Sequence, residues 1–252
     1  MAEPQTIDEI IERLNGILDD ALRHGARIGY FAALYERVTT NVRRALVAGN
    51  VFQDNARMER LDVVFANRFL DAWDRSASGR EPSRSWQAAF ARLDDPGPLV
   101  VQHLLLGMNA HINLDLGIAA ATVAPTPAEL EALWPDFKAI NEVLARLVQV
   151  VEDELGLISP RLKRIEDIAP GLEDLLFDFA IDAARDFAWA LATDLANAPS
   201  DGWDAVIAER DALVAGAASD LYPLHGIPGK VQSWIHGAES ADVRFNIQVV
   251  AE

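Results

Sequence analysis

Apolar residues recur along this chain at intervals of three and four, the spacing that lines one face of a helix. Ile7, Ile10, Ile11, Leu14, Ile17 and Leu18 make the first such stripe. Thr6 stands where an N-cap belongs, and Glu9, three residues on, completes the pattern of a capping box. A second helix is predicted over 28–48, closed by Gly49-Asn50, and a third over 56–76 with Leu61, Phe65, Phe69 and Ala72 as its buried edge. The loop SASGREP at 77–83 precedes a short helix carrying Trp86 and Phe90. Asp94-Asp95-Pro96-Gly97-Pro98 then breaks the chain ahead of a helix over 99–121, and Pro125 and Pro127 mark its far side. Further helices are predicted over 127–155, 173–197 and 203–218, with a mixed stretch at 156–172 broken by Pro160 and Pro170.

Beyond Tyr222 the pattern changes. Pro223, Gly226, Pro228 and Gly229 interrupt it, and VRFNIQVV at 243–250 alternates as a short strand or an extended arm would. No segment repeats. The expectation is therefore an all-α, single-domain bundle of about eight helices around a buried central helix at 99–121, with a core over 6–218 and an irregular tail at 219–252.

Composition narrows the function classes. Lys and Arg total 22 against 39 Asp and Glu, a formal charge of −17. Such a field repels a phosphate backbone and an anionic membrane surface, so no nucleic-acid partner is expected. The absence of cysteine excludes disulfides, thiolate metal sites and cysteine nucleophiles. The start lacks the basic-then-apolar order of a secretory leader, and no uncharged apolar run reaches the ~18 residues of a membrane span. A cytoplasmic protein is the expectation.

The chemistry concentrates in the central helix. At about 100° per residue, His103, Gly107, His111 and Asp115 share one line, while Gln102, Asn109 and Asn113 make another. Most of the remaining positions are Val, Leu, Ile or Met, so the helix is interior and its polar groups point at neighbours. Each such group costs on the order of 1–3 kcal/mol if buried without a partner. His111 and Asp115, an i, i+4 pair, have three uses. Asp115 can orient His111 as a general acid/base. The two can supply ligands to a divalent transition metal, the one cofactor the sequence suggests. Or they can belong to a structural polar network that fixes helix register. In the catalytic reading Asn109 and Asn113 position substrate or lock the helix, and His103, two turns away, serves a second site or none. Gly107, costly inside a helix, makes room for a ligand or for a close-packed neighbour.

Candidate substrate-binding residues from other helices are Tyr35 and Arg37, Asp62 and Arg68, Asp136 and Asn141, and Asp182 and Arg185, the last pair in a segment where Asp178, Asp182 and Asp186 align among aromatic residues. Arg37, Arg68 or Arg185 can bind an anionic group or neutralise a buried carboxylate. His24, His225 and His236 lie near helix ends or turns. There is no Glu-x-x-His of a di-iron bundle, no phosphate-binding loop, no dinucleotide fingerprint and no Gly-x-Ser-x-Gly elbow. No nucleotide cofactor is therefore implied.

LGMNAHINLDL at 106–116 resembles the core motif of an uncharacterised family of helical proteins common in actinobacteria. YERVT at 35–39, LDVVFANRF at 61–69, Trp86 with Phe90, DFKAIN at 136–141 and the 185–189 segment are similar to its other shared stretches, a span of about 28–192. The resemblance implies a helical fold and carries no activity. The residues themselves suggest an enzyme acting on a small, largely apolar molecule between helices, by hydrolysis, isomerisation or cyclisation. The alternative is a non-catalytic carrier or interaction module whose His/Asn/Asp cluster is structural.

Overall fold

Capping residues set the helix boundaries. In the computed structural model, which describes residues 3–162, 181–222 and 229–252, α1 spans Ile7–His24 and α2 Ile28–Ala48. Thr6 accepts from the Glu9 amide at 3.3 Å, but the Glu9 carboxylate accepts from the Gln5 amide at 2.6 Å, so the expected capping box is only half formed. Gly25 and Gly49 end the two helices at φ 66° and 72°, the left-handed conformation in which an L side chain is strained. Helix α3 (Asn55–Ala77) is capped by Asp54 and α4 (Arg84–Phe90) by Ser83. The central helix follows as α5 (Val100–Ala110), a π-helical turn (His111–Leu116) and α6 (Gly117–Val123).

A full capping box does form at Thr126 and Glu129, opening α7 (Pro127–Ile158). Helices α8 (Ile181–Asn197), α9 (Trp203–Leu221), α10 (Gly229–His236) and α11 (Val243–Ala251) complete the order. The described residues thus form an all-α bundle of eleven α-helices, three more than expected. Residues 173–180 of the helix predicted over 173–197, His225 and the side chain of Asp182 lie outside the described residues.

One correction concerns the C-terminal end. The C-terminal segment is neither strand nor arm: the described residues of 219–252 carry the end of α9 and the helices α10 and α11. Asp242 caps α11 through the Arg244 and Phe245 amides, and Asn246, Ile247, Val249 and Val250 are buried. Ile247 packs so closely on Gly29 of α2 that a Cβ there would meet its Cδ1 at 2.5 Å. Val100–Val123, which carries Asp115, is long and apolar enough by composition alone to cross a membrane, and 83% of its apolar window is buried inside the protein.

The central helix threads two cores. Leu99, Leu104, Leu105 and Ala110 pack in one with α1–α4 and α11, and Leu114, Leu116 and Ile118 in the other with α7–α9. Phe65 of α3 packs against both. The π turn sits at that junction.

Candidate functional site

The histidine and the aspartate of the central helix lie on the π turn, where the backbone widens by one residue; such turns recur at functional sites. His111 is 3% exposed and Asp115 1%. The His111 Nδ1 stands 3.2 Å from the Asp115 Oδ2. That same oxygen accepts from the Trp86 indole N–H at 2.8 Å, and the Asp115 Oδ1 accepts from the Arg68 Nε at 2.8 Å. Three helices thus converge on one carboxylate. Trp86 is held in turn by Asp211 of α9, which accepts the Arg84 and Ser85 amides at 2.8 and 2.9 Å and fixes the first turn of α4.

These bonds set the charges. Burial pushes the Asp115 carboxyl up, but the Arg68 guanidinium, the His111 ring and the Trp86 N–H together hold it below its ordinary value. It is an anion at neutral pH. Burial pushes His111 down; the Asp115 hydrogen bond and charge push it back, and Arg68 adds to the lowering. The imidazole is therefore neutral. Because Nδ1 faces a carboxylate, Nδ1 carries the proton and Nε2 the lone pair.

Aromatic rings enclose that lone pair. Phe65 stacks on His111 with centroids 3.7 Å apart. Tyr35, Phe31, Trp86 and Phe69 surround it edge-on or tilted at 4.5, 5.8, 5.9 and 6.2 Å. Gly107 admits Phe31: a Cβ there would meet the Phe31 Cδ2 at 2.4 Å, so the room it leaves is filled by a ring. Three buried polar atoms around this box, the His111 Nε2, the Tyr35 hydroxyl and the Asp62 Oδ2, have no hydrogen-bond partner among the described residues. Buried polar atoms are nearly always paired, so three such atoms on contiguous residues call for an explanation. Burial pushes the Tyr35 phenol well up, the charges of Asp62 and Asp115 add to it, and the nearby Thr39 side chain acts in the opposite sense. The Thr39 hydroxyl beside it donates to the Tyr35 carbonyl at 2.9 Å. Burial, reinforced by Glu59, lifts Asp62 to about 7.

Of the residues singled out in the sequence, Tyr35, Asp62 and Arg68 thus join His111 and Asp115. The others have structural partners elsewhere. Asn109 donates to the Val214 carbonyl and Asn113 to the Asn109 side chain, each at 2.9 Å, locking the central helix onto α9. Arg37 donates to Glu154 at 2.6 Å and to the Val250 carbonyl at 2.7 Å, joining α2, α7 and α11. Asp136 accepts from the Gln53 and Asp54 amides and from Arg57, anchoring the α2–α3 loop. Arg185 donates to the Phe137 carbonyl and lies over the Phe137 ring. Asn141 is half-buried on α7. His103, two turns before His111, packs 5.7 Å from the Tyr30 ring; burial and then Arg27 lower it to about 4 against Asp95, and neither ring nitrogen has a partner among the described residues.

Trp86 is the residue whose role the sequence did not disclose. Its pattern gave it a helix but no partner, because the indole meets Asp115 across 29 residues of chain.

The pair does not fit a metal. Among the described residues no group of three or more His, Asp or Glu side chains converges to hold one. The Asp115 oxygens are already occupied by N–H donors, one from a guanidinium that repels a cation.

A family model described as "Family of unknown function (DUF5995)" matches residues 7–223, and the chain belongs to that family. The match extends past both ends of the 28–192 span. No curated protein and no solved structure matches.

Proposed function

We propose that the π turn carries a proton-transfer centre, with His111 as the base, acting on a small and largely apolar molecule. One observation carries the reading: the Nε2 lone pair of a neutral imidazole is buried without a partner, while its Nδ1 is anchored by an ionised, doubly braced Asp115. This is the arrangement that fixes the tautomer of a catalytic histidine and steadies the imidazolium once it forms. A network serving only to join helices leaves no reason for the orphaned nitrogen, whose burial costs on the order of 1–3 kcal/mol.

Acyl transfer through a protein nucleophile is less well supported, since no side-chain hydroxyl bonds Nε2 among the described residues. Entry past α3 is favoured. Phe65 and Arg68, one turn apart, are only half-buried, whereas His111 and Asp115 behind them are sealed. The carrier or interaction reading draws on the same braces, because Arg68, Trp86 and Asp115 tie three helices whether or not a proton moves.

Nitroethane tests the base by itself, since its anion needs no acid to receive it. Wild-type protein should accelerate nitronate formation, followed by its ultraviolet absorbance, and His111→Asn should return the rate to that of buffer. Equal rates for the two proteins, or no acceleration by either, would overturn the proposal.

A further inference from the structure

Asp62 is the buried acid that the base alone does not use. It shares a face of α3 with Phe65 and Phe69, at i, i+3 and i+7, and both rings touch His111. Tyr35 crosses from α2 to lie 6.0 Å from each of those phenyl rings and 4.5 Å from the imidazole. The Tyr35 hydroxyl and the Asp62 Oδ2 are both buried and unpartnered among the described residues. The charge of Asp62 acts on the Tyr35 phenol, which packs on the imidazole, so the carboxyl and the phenol lie beside the box that holds the lone pair.

The charges limit what such a box accepts. Asp115 is already neutralised by Arg68, and Arg68 is committed to it at 2.8 Å. Among the described residues bonded at the π turn, Arg68 is the cation and Asp115 the anion, and each satisfies the other. A bound molecule must be uncharged, and it must offer an acceptor oxygen near a C–H bond. From this juxtaposition we infer that Asp62, with the Tyr35 phenol beside it, is the acid partner of His111, and that the substrates are small uncharged carbonyl compounds with an enolisable C–H. The inference rests on the reading of His111 as a base.

The chemistry balances without a co-reactant. The Nε2 lone pair takes a proton from the carbon next to the carbonyl, and the C–H electron pair becomes a C=C bond. The carbonyl π pair moves to oxygen, which takes the Asp62 proton or receives it through the Tyr35 hydroxyl. In the second half, for a β,γ-unsaturated substrate, Asp62 recovers that proton and the C=O re-forms, the enol C=C pair moves to the α,β position, and the original β,γ pair takes the Nε2 proton at the γ carbon. A double bond has moved, and both residues end as they began. Burial keeps the Asp62 carboxyl protonated far above the usual carboxylate range, and the imidazole neutral, so acid and base coexist near pH 7.

Cyclohex-3-en-1-one is the probe, because its conversion to the conjugated 2-enone needs both groups and is read by absorbance. Asp62→Asn should slow this conversion at least tenfold more than it slows nitroethane deprotonation, and Tyr35→Phe should slow it in the same sense; general acids contribute about 10²–10⁴-fold. His111→Asn should abolish both reactions. If Asp62→Asn slows the two equally or not at all, Asp62 is not the acid, although the base stands. A wild type active on nitroethane but inert on the enone removes the carbonyl class alone. One inert on both removes the base as well.

Discussion

Phe65 lies flat on the His111 imidazole, ring planes 8° from parallel and centroids 3.7 Å apart. Stacking of this kind favours a neutral heterocycle in an apolar setting and leaves both ring nitrogens at the edge of the stack. Phe65 is half-buried while His111 is sealed, so the phenyl ring stands between the base and solvent. Replacing it with alanine should raise the rate of His111 modification by diethyl pyrocarbonate severalfold, read by peptide mass spectrometry. It should also lower stability by about 1–3 kcal/mol, at the low end for a phenylalanine because the site is not fully buried. An unchanged modification rate would place the entry elsewhere.

Asp115→Asn should be far more costly than its isosteric shape suggests. Three donors, from Arg68, Trp86 and His111, converge on two oxygens, and an amide turns one of those positions into a fourth donor. The expected loss is about 3–5 kcal/mol in urea denaturation at pH 7. Since the native carboxyl is held below its ordinary value, its stabilisation is present above about pH 4 and is lost as pH falls through the lower folded value. The gap between variant and wild type should therefore narrow in acid.

Asp62→Asn should behave in the opposite way. A carboxyl lifted from 3.8 to about 7 contributes stability that is full below pH 3.8 and is lost as pH rises through 7. The variant cannot ionise, so its advantage over wild type should grow from pH 4 to pH 7 and then level at roughly 2–4 kcal/mol. His103 and Glu239, lowered to about 4 and raised to about 7, contribute equally to both proteins and cancel in the difference. A flat difference curve would show that Asp62 is not buried as a neutral acid.

Gly107→Ala pits propensity against packing. Alanine gains about 1 kcal/mol in a helix interior, but its methyl would sit 2.4 Å from the Phe31 ring inside the core. The ring cannot swing away without disturbing Phe69 and Trp86, whose centroids lie 5.0 and 5.5 Å from it. Net destabilisation of about 1–3 kcal/mol is expected from thermal unfolding.

Much of this was legible from spacing. The stripes on α1, α2, α3 and α7 located those helices to within a few residues, because an amphipathic face must be buried wherever it occurs. The i, i+4 relation of His111 and Asp115 identified the pair for the same reason. VRFNIQVV misled, since a short run that alternates also satisfies a helix when Asn246, Ile247 and Val250 share a face and Asp242 supplies a cap. The π turn carries no proline, no glycine and no other local mark, so its sequence, HINLDL, reads as ordinary helix. The bonds of Arg37 to Glu154 and Val250, of Asp136 to Arg57 and the 53–54 amides, and of Arg185 to the Phe137 carbonyl span 48 to 213 residues of chain, a separation that local spacing cannot reveal. The pattern around Trp86 gives it a helix but no partner, because its indole reaches Asp115 across 29 residues of chain.

The central claim concerns one nitrogen. Long-range ¹⁵N NMR of His111, titrated from pH 8 downward, reads its tautomer and charge without any substrate. The account predicts a neutral ring with the proton on Nδ1 and an unprotonated Nε2 at pH 7, becoming imidazolium only below the ordinary histidine range. A proton on Nε2 at pH 7, in either the other tautomer or the cation, would contradict it.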